Sequence, residues 1–372
     1  MTRGAPYAIS RRESLYLDLV RALAAFFVVL DHAPTLFDLP NTPRFGHPAV
    51  MIFFVLSGYV ICNVADLREN TPRTFLIARF ARLWSVLVPA MVLTIACDTI
   101  GRYFGHNAWA YADVPVNAPV VRVFAVLTFL SESWVSIQPL SNQVVWSLCV
   151  EFWYYILFAA WTFVPPGAVR KVAVAAAALL AGHKALLLLP IWLMGVALQR
   201  SHRPRRISVP VGVALWCGGL AATAAILATH VYNPAIDVMK DLAGPWIFNQ
   251  LAQAGVFWLD WILGLAVAAH LLGARRLAPW LSLERFAGSI RWCASMSFAA
   301  YLFHLPLLHL CAAFLPKDNG VLAIAVTLCA IALLGPWVEG SKLWWRRALS
   351  WIADRLFAAK PVATAIIADE RR

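Results

Sequence analysis

Charged side chains are scarce in this chain. Asp, Glu, Lys and Arg make up 13% of its 372 residues, whereas 61% of the residues are hydrophobic and the mean hydropathy is +0.70. In soluble globular domains about 25% of the residues are charged. This composition excludes an ordinary soluble domain and predicts a polytopic membrane protein.

Paired cysteines, nucleic-acid-binding modules and internal repeats are also missing. The seven cysteines are scattered through apolar segments without a C-x-x-C pair, which excludes a disulfide framework, and we expect no metal site. The net charge is +12, but Lys and Arg cluster between apolar stretches as in cytoplasmic loops, so we expect no nucleic-acid partner. The lack of a repeat disfavours a secondary transporter built from symmetric halves.

Long apolar stretches are abundant and indicate an all-α architecture. A helix that crosses the hydrocarbon layer needs roughly 17 to 25 residues. Residues 171–199 exceed this length and contain Gly182, so we divide them into two short helices. Together with these two, we predict ten spans, the others near residues 15–36, 48–64, 83–100, 144–164, 209–229, 250–272, 293–315 and 320–338.

The distribution of Lys and Arg orients these spans. If residues 118–130 do not cross, both termini are cytoplasmic and most of the 31 basic residues lie on the inside, in agreement with the positive-inside rule. We therefore predict a multi-pass protein of the bacterial inner membrane. Residues 118–130 are then a re-entrant or interfacial segment within a long outer loop.

The chain divides into three parts on this interpretation. Residues 1–14 form a cytoplasmic segment, residues 15–338 the membrane domain and residues 339–372 a cytoplasmic amphipathic tail. In the tail, helical spacing places Trp345 on an apolar face and Lys342 on a charged face. We expect this helix to lie on the inner leaflet, in contact with membrane lipids.

The first predicted span contains Arg21 and His32. A charge in mid-membrane costs roughly 2.5 to 3.5 kcal/mol, so Arg21 must face protein or a wet cavity. Eleven residues are close to three helical turns, which places both side chains on one face about 16 Å apart. Alternatively, Arg21 snorkels to the headgroups and His32 is hydrogen-bonded in the core.

Further polar residues lie in other spans. Ser57, followed by Gly58, is a candidate nucleophile or part of a helix-packing notch. Arg79 and Arg82 suit a phosphate clamp or positive-inside anchoring. Glu151 needs a partner, which we expect to be His32, an arginine or a substrate hydroxyl, unless it pairs with a core Trp or Tyr. The ninth span adds Tyr301 and His304, although His304 and the following Pro306 could instead mark a kink.

Five motifs in order resemble one family. They are R-x10-H in the first span, FFVLSG in the second, R-x-x-R opening the third, WSL-x-x-E-x-x-Y, and a late YLFHLP. Together these motifs resemble the acyltransferase-3 family of integral-membrane O-acyltransferases, over residues 14–338. The chain departs from the family pattern at Asp31, where an aromatic or aliphatic residue is usual, and at Met51, where an acidic residue is common.

The resemblance implies the chemistry and the roles of several residues. It implies transfer of an acyl group, commonly acetyl from acetyl-CoA, to a hydroxyl of a bacterial exopolysaccharide, another surface glycan or a lipid-linked glycan. His32 and Arg21 match the essential pair, Arg79 and Arg82 the donor-binding arginines, and Glu151 a supporting carboxylate. A neutral imidazole such as His32 suits a general base, and an acyl-histidine or acyl-serine relay is equally allowed.

Two alternatives remain at this point. The acceptor could be a small secondary metabolite. The protein could also be a transporter in which Arg21, His32 and Glu151 form a proton or anion path.

Overall fold

The computed structural model describes residues 7–39, 45–201 and 207–357. These residues form helices joined by turns and short 3-10 segments, and they contain no β-strand. The all-α prediction is confirmed. The helices are α1 Arg11–His32, α2 Gly46–Leu67, α3 Pro72–Phe104, α4 Pro119–Leu127, α5 Trp146–Phe163, α6 Ala168–Arg200, α7 Val209–Ala228, α8 Tyr232–Leu251, α9 Phe257–Leu277, α10 Ala287–Phe314 and α11 Gly320–Phe357.

Many of these helices can cross a membrane. Eight helical segments of the described chain have the length and apolar composition that a membrane span requires. Helix α1 is long enough but is not in that set, because Asp18, Arg21 and Asp31 interrupt its apolar sequence. The chain is therefore a multi-pass membrane protein, as its composition predicts.

Helix α6 consists of two limbs that meet at Gly182. This glycine has φ +79°, and a side chain there would overlap the backbone carbonyl of Ser133. The guanidinium groups of Arg170 and Arg200, near opposite ends of α6, both lie over aromatic rings in the last turns of α5. The chain thus folds back at Gly182, so the predicted division of residues 171–199 agrees with the structure.

Two helices differ in extent from the predicted spans. The segment between residues 229 and 250, expected to be a loop, forms most of α8, and the next helix begins at Phe257 rather than near residue 250.

Helix α4 has nine residues, about 14 Å, which is too short for a span and agrees with a re-entrant or interfacial segment.

Helix α11 is longer than the predicted last span. It runs without a break from Gly320 to Phe357, so residues 341–357 continue the last span instead of forming a separate surface helix. Trp345 packs against Trp84 of α3, with ring centroids 5.9 Å apart. The amphipathic pattern of the tail therefore reflects packing on α3 as well as exposure to the surroundings.

The start of α1 is fixed by a buried polar cluster. Ser10 caps the helix by accepting a hydrogen bond from the backbone of Glu13. Glu13 is buried and accepts hydrogen bonds from the phenols of Tyr7, at 2.5 Å, and Tyr59. Burial and the neighbouring Glu13 carboxylate raise the pKa of Tyr7 to about 12, so Tyr7 remains a neutral hydrogen-bond donor.

Helices α2 and α6 approach closely at two glycines. A Cβ atom on Gly58 would overlap the carbonyl of Trp192, and a Cβ atom on Gly195 would overlap the carbonyl of Val55. Gly58 is therefore a helix-packing residue. The close approach brings the Trp192 indole within 3.1 Å of the Ser57 hydroxyl, to which it donates a hydrogen bond.

Candidate active site

A cavity of about 270 Å³ lies between helices α1, α2, α3, α5, α10 and α11. One face of α2 lines it at helical spacing from Val50 to Val64, which corresponds to about 21 Å of helix. Six of the eight predicted site residues contribute to its wall: Arg21, Ser57, Arg79, Arg82, Glu151 and Tyr301. The structure thus brings together residues that are far apart in the sequence.

One end of the cavity, which we call the arginine end, is strongly basic. Arg21, Arg82 and Lys342 line it together with the Arg79–Glu69 pair. Arg21 lies 3.6 Å from Asp18, one turn earlier on α1, and the Arg82 guanidinium lies 5.6 Å from the centre of the Phe298 ring. Glu339 also interacts with Arg21 and Lys342, so four cations face three carboxylates at this end, and the remaining positive charge suits an anionic ligand.

Arg79 is already paired within the protein. Its guanidinium donates to both carboxylate oxygens of Glu69, at 2.9 and 2.7 Å, and both side chains are largely buried. It also lies over the rings of Phe75 and Tyr155. Arg79 and Arg82 therefore occupy different environments, although the sequence presents them as one motif.

In the middle of the cavity, Glu151 is bonded to hydroxyl groups. Its Oε1 atom accepts hydrogen bonds from Ser57 and from Tyr155, the latter at 2.5 Å. We expected His32, an arginine or a substrate hydroxyl as the partner of Glu151. The hydrogen bonds found are with Ser57 and Tyr155, and the Tyr155 contact agrees with the alternative of pairing with a core aromatic residue. Arg21 is also near enough to interact electrostatically with Glu151, in agreement with the expected arginine.

His32 and His304 form a pair beyond the cavity wall, at what we call the histidine end. His32 Nδ1 lies 2.9 Å from the carbonyl of Val28, and His304 Nδ1 lies 2.9 Å from that of Ala300. Because carbonyls only accept, both Nδ1 atoms carry hydrogen in the neutral rings. His32 Nδ1 is also 3.2 Å from His304 Nε2, which can accept from it. In this arrangement the lone pair of the neutral His32 ring is on Nε2, where it can take a proton.

Tyr301 connects the histidine pair to the cavity. It precedes His304 by three residues on α10, and the two ring centroids are 6.4 Å apart. Its hydroxyl donates to the carbonyl of Val144 at 2.8 Å and lies 2.6 Å from the Ser147 hydroxyl. Tyr301 is therefore held rigidly, with one side towards the cavity and the other towards His304.

Sequence reasoning missed several residues of the cavity wall. Glu69 follows α2, and its acidic side chain ten residues before Arg79 was an available signal. Tyr155 lies one turn after Glu151 and could have been included as its helical neighbour. Lys342 was assigned to a surface helix.

Within residues 7–39, 45–201 and 207–357, no group of three or more His, Cys, Asp or Glu side chains could hold a metal ion.

Comparison with known proteins gives matches to acyltransferases. A family model described as an acyltransferase domain matches residues 14–338. The chain is 29% identical over 157 residues to an "O-acetyl transferase" of Shigella phage Sf6, covering 38% of this chain and 43% of the relative. It is 41% identical over 86 residues to "Protein 2 in picA locus" of Rhizobium radiobacter, covering 22% of this chain and 44% of the relative. The alignments thus span less than half of either relative. No solved structure matches the chain.

Proposed function

Because the chain belongs to the acyltransferase-3 family of membrane O-acyltransferases, we propose that it transfers an acetyl or another acyl group from acyl-CoA to a hydroxyl of a surface glycan or lipid-linked glycan. The observation that carries this proposal is the elongated cavity between the basic arginine end and the histidine pair. One uninterrupted helix, α1, contributes both Arg21 and His32. The acetyl group is favoured by the phage relative, which is named an O-acetyl transferase.

The arginine end is the proposed binding site for the phosphates of the donor. Arg21, Arg82 and Lys342 line the cavity there, and a bound phosphate would compensate their excess positive charge. We propose that the ion pair of Arg79 with Glu69 stabilises the structure of this part of the cavity wall. The positive charge of Arg79 would attract the donor phosphates without direct contact. The donor chain would then extend along the lining face of α2 towards the histidine end.

His32 is the proposed general base. In the transfer step, the acceptor oxygen forms a bond to the acyl carbon while the carbon–sulfur bond of the thioester breaks. The hydroxyl proton passes to His32 Nε2 and then to the departing CoA thiolate, which leaves as the thiol. His304 is a positioning residue, because its contact with Nδ1 favours the tautomer in which Nε2 carries the lone pair.

A covalent route is the alternative within the same function. Ser57 donates a hydrogen bond to Glu151, and a carboxylate that accepts the serine proton can activate the oxygen for attack on a thioester. In this route the Ser57 oxygen bonds to the acyl carbon as the carbon–sulfur bond breaks, and the CoA thiolate takes the serine proton from Glu151 and leaves as the thiol. The acceptor oxygen then bonds to the acyl carbon as the serine ester bond breaks, and its proton returns to Ser57 through Glu151.

The charge distribution supports a location in the bacterial inner membrane with both termini in the cytoplasm. This orientation places the arginine end on the cytoplasmic side, where acyl-CoA is available. The histidine end then faces the outer side, where surface glycans are assembled. Membrane lipids surround the remaining helices.

The function is tested with protein purified in lipid nanodiscs. Acetyl-CoA is supplied with hexose, 6-deoxyhexose and N-acetylhexosamine oligosaccharides, and both thiol release and the mass of the glycans are measured. We expect acetylated glycan from the parent protein and about 100-fold less, or an even larger reduction, from the His32→Ala variant. Acylation of small metabolites alone would contradict the glycan acceptor. Ion or solute uptake without thiol release would contradict the enzymatic function.

A further inference from the structure

A second cluster of polar side chains lies near the histidine end, outside the cavity wall and the His32–His304 pair. His47, the second residue of α2, lies with its Nε2 2.9 Å from Oδ1 of Asp260 on α9. The same oxygen accepts a hydrogen bond from the Tyr232 hydroxyl at 2.8 Å. Asp260 is completely buried, whereas the His47 side chain is 23% exposed.

The cluster contains two carboxylate oxygens that lack a donor. Asp260 Oδ2 and Asp31 Oδ1 are both buried, and neither has a hydrogen-bond partner among the described residues. The Asp31 carboxylate packs on Gly46, where a Cβ atom would overlap it, directly beside His47. Buried polar atoms in native proteins are nearly always hydrogen-bonded, so these two oxygens are acceptors that can each take a further hydrogen-bond donor.

The position of the cluster relates it to the proposed reaction. Asp31 is the neighbour of His32 on α1, and His47 lies one helical turn before Val50, which lines the cavity. The His47 ring stacks on Trp146, with centroids 6.1 Å apart and an interplanar angle of 15°. The cluster therefore adjoins the proposed base on α1 and the cavity-lining face of α2, which is the region that an acceptor must approach in the proposed reaction.

We propose that His47, Asp31 and Asp260 form a binding subsite for an acceptor that carries several hydroxyl groups, such as a sugar ring. Carboxylate oxygens accept hydrogen bonds from hydroxyls, and a sugar offers neighbouring hydroxyls that can reach two acceptors. When His47 donates from Nε2 to Asp260, its Nδ1 lone pair accepts a further hydroxyl. This inference rests on the proposed function and assigns the acceptor-binding residues, which the sequence did not identify.

The test uses His47→Gln and Asp31→Asn in nanodiscs, with the best acceptor from the oligosaccharide panel. We expect the acceptor KM to rise about tenfold or more in each variant, as for a lost hydrogen bond to a charged group. The donor KM and the hydrolysis of acetyl-CoA without acceptor should stay as in the parent. His230→Gln and Asp237→Asn change the same residue types at exposed positions and should leave all three values unchanged.

A modified acceptor tests the contact itself. Methylation of the hydroxyl beside the acylated one should raise the KM for the parent but have little additional effect in the variant that has lost its partner. An acceptor KM within twofold of the parent in both variants would overturn the subsite. So would a parallel loss of hydrolysis and transfer, because it would indicate a general structural role. A parent protein that releases no thiol with any acceptor would instead contradict the proposed function.

Discussion

Replacing Arg79 and replacing Arg82 should have different consequences, although both belong to one R-x-x-R motif. Arg79 donates from a single terminal nitrogen, Nη2, to both carboxylate oxygens of Glu69, and the side chains are only 10% and 13% exposed. Arg82 lines the cavity and lies over the Phe298 ring. We expect Arg79→Ala to affect mainly stability and Arg82→Ala to affect mainly donor binding.

The size of each effect follows from these contacts. Removing one partner of a buried ion pair costs about 3 to 5 kcal/mol, because the other charge remains uncompensated. The unfolding entropy is about 2.1 cal/mol/K per residue, or roughly 0.8 kcal/mol/K for 372 residues. The change in Tm is the lost free energy divided by this entropy, so Tm should fall by about 4 to 6 °C in Arg79→Ala. Loss of a hydrogen bond to a charged phosphate, about 1.5 to 3 kcal/mol, should raise the donor KM of Arg82→Ala roughly 10- to 100-fold with little change in kcat.

The assay compares thermal unfolding, followed by tryptophan fluorescence in one detergent, with steady-state kinetics in acetyl-CoA. The double variant Glu69→Ala with Arg79→Ala is the matched control, because it removes both charges and should regain much of the lost Tm. The reasoning is refuted if Arg79→Ala melts like the parent while its donor KM rises. It is equally refuted if the double variant melts below Arg79→Ala.

Three further predictions concern the histidine pair, the covalent route and the topology. His304→Ala should lower kcat about tenfold, compared with a loss of about 100-fold or more for His32→Ala; equal losses would indicate that His304 is itself a base. If His32 acts directly, Ser57→Ala should retain at least a tenth of the parent kcat. Rapid quench of the parent with radiolabelled acetyl-CoA should then give no labelled protein. An acyl-serine that is detected in the parent and absent in Ser57→Ala would establish the covalent route. Reporter fusions should give a cytoplasmic signal after residues 171, 206 and 291 and an external signal near residues 113 and 240; an external signal at 206 would reverse the orientation of the adjoining helices.

Residues that share one helix were predictable from spacing, and their partners on other helices were not. The period of 3.6 residues correctly places Arg21 and His32 three turns apart on α1. The same rule says nothing about which helix faces them, so the Arg79–Glu69 pair and the approach of Lys342 were not predicted. His47 and Asp260 are 213 residues apart, and no local pattern connects them.

The packing of the tail was not predictable from its sequence for a related reason. An amphipathic pattern records that one face of a helix is apolar, but it does not distinguish lipid headgroups from another helix as the partner of either face. Residues 341–357 satisfy the pattern by packing Trp345 against Trp84 and by directing Lys342 to the cavity. The basic face therefore contributes to the candidate site as well as to the membrane surface.

The polarity of α1 is explained by what each of its polar groups faces. Glu13 is bonded to the phenols of Tyr7 and Tyr59, Arg21 lines the cavity, and His32 contacts His304. Asp31 packs on Gly46, and its Oδ1 has no donor among residues 7–39, 45–201 and 207–357. Since a charged or polar group in a span is costly unless protein, water or a ligand surrounds it, a helix with several such groups must lie against partners that satisfy them. The charged residues that set α1 apart from the eight apolar segments thus include one that lines the candidate site, Arg21, and they lie on the same helix as the proposed base, His32.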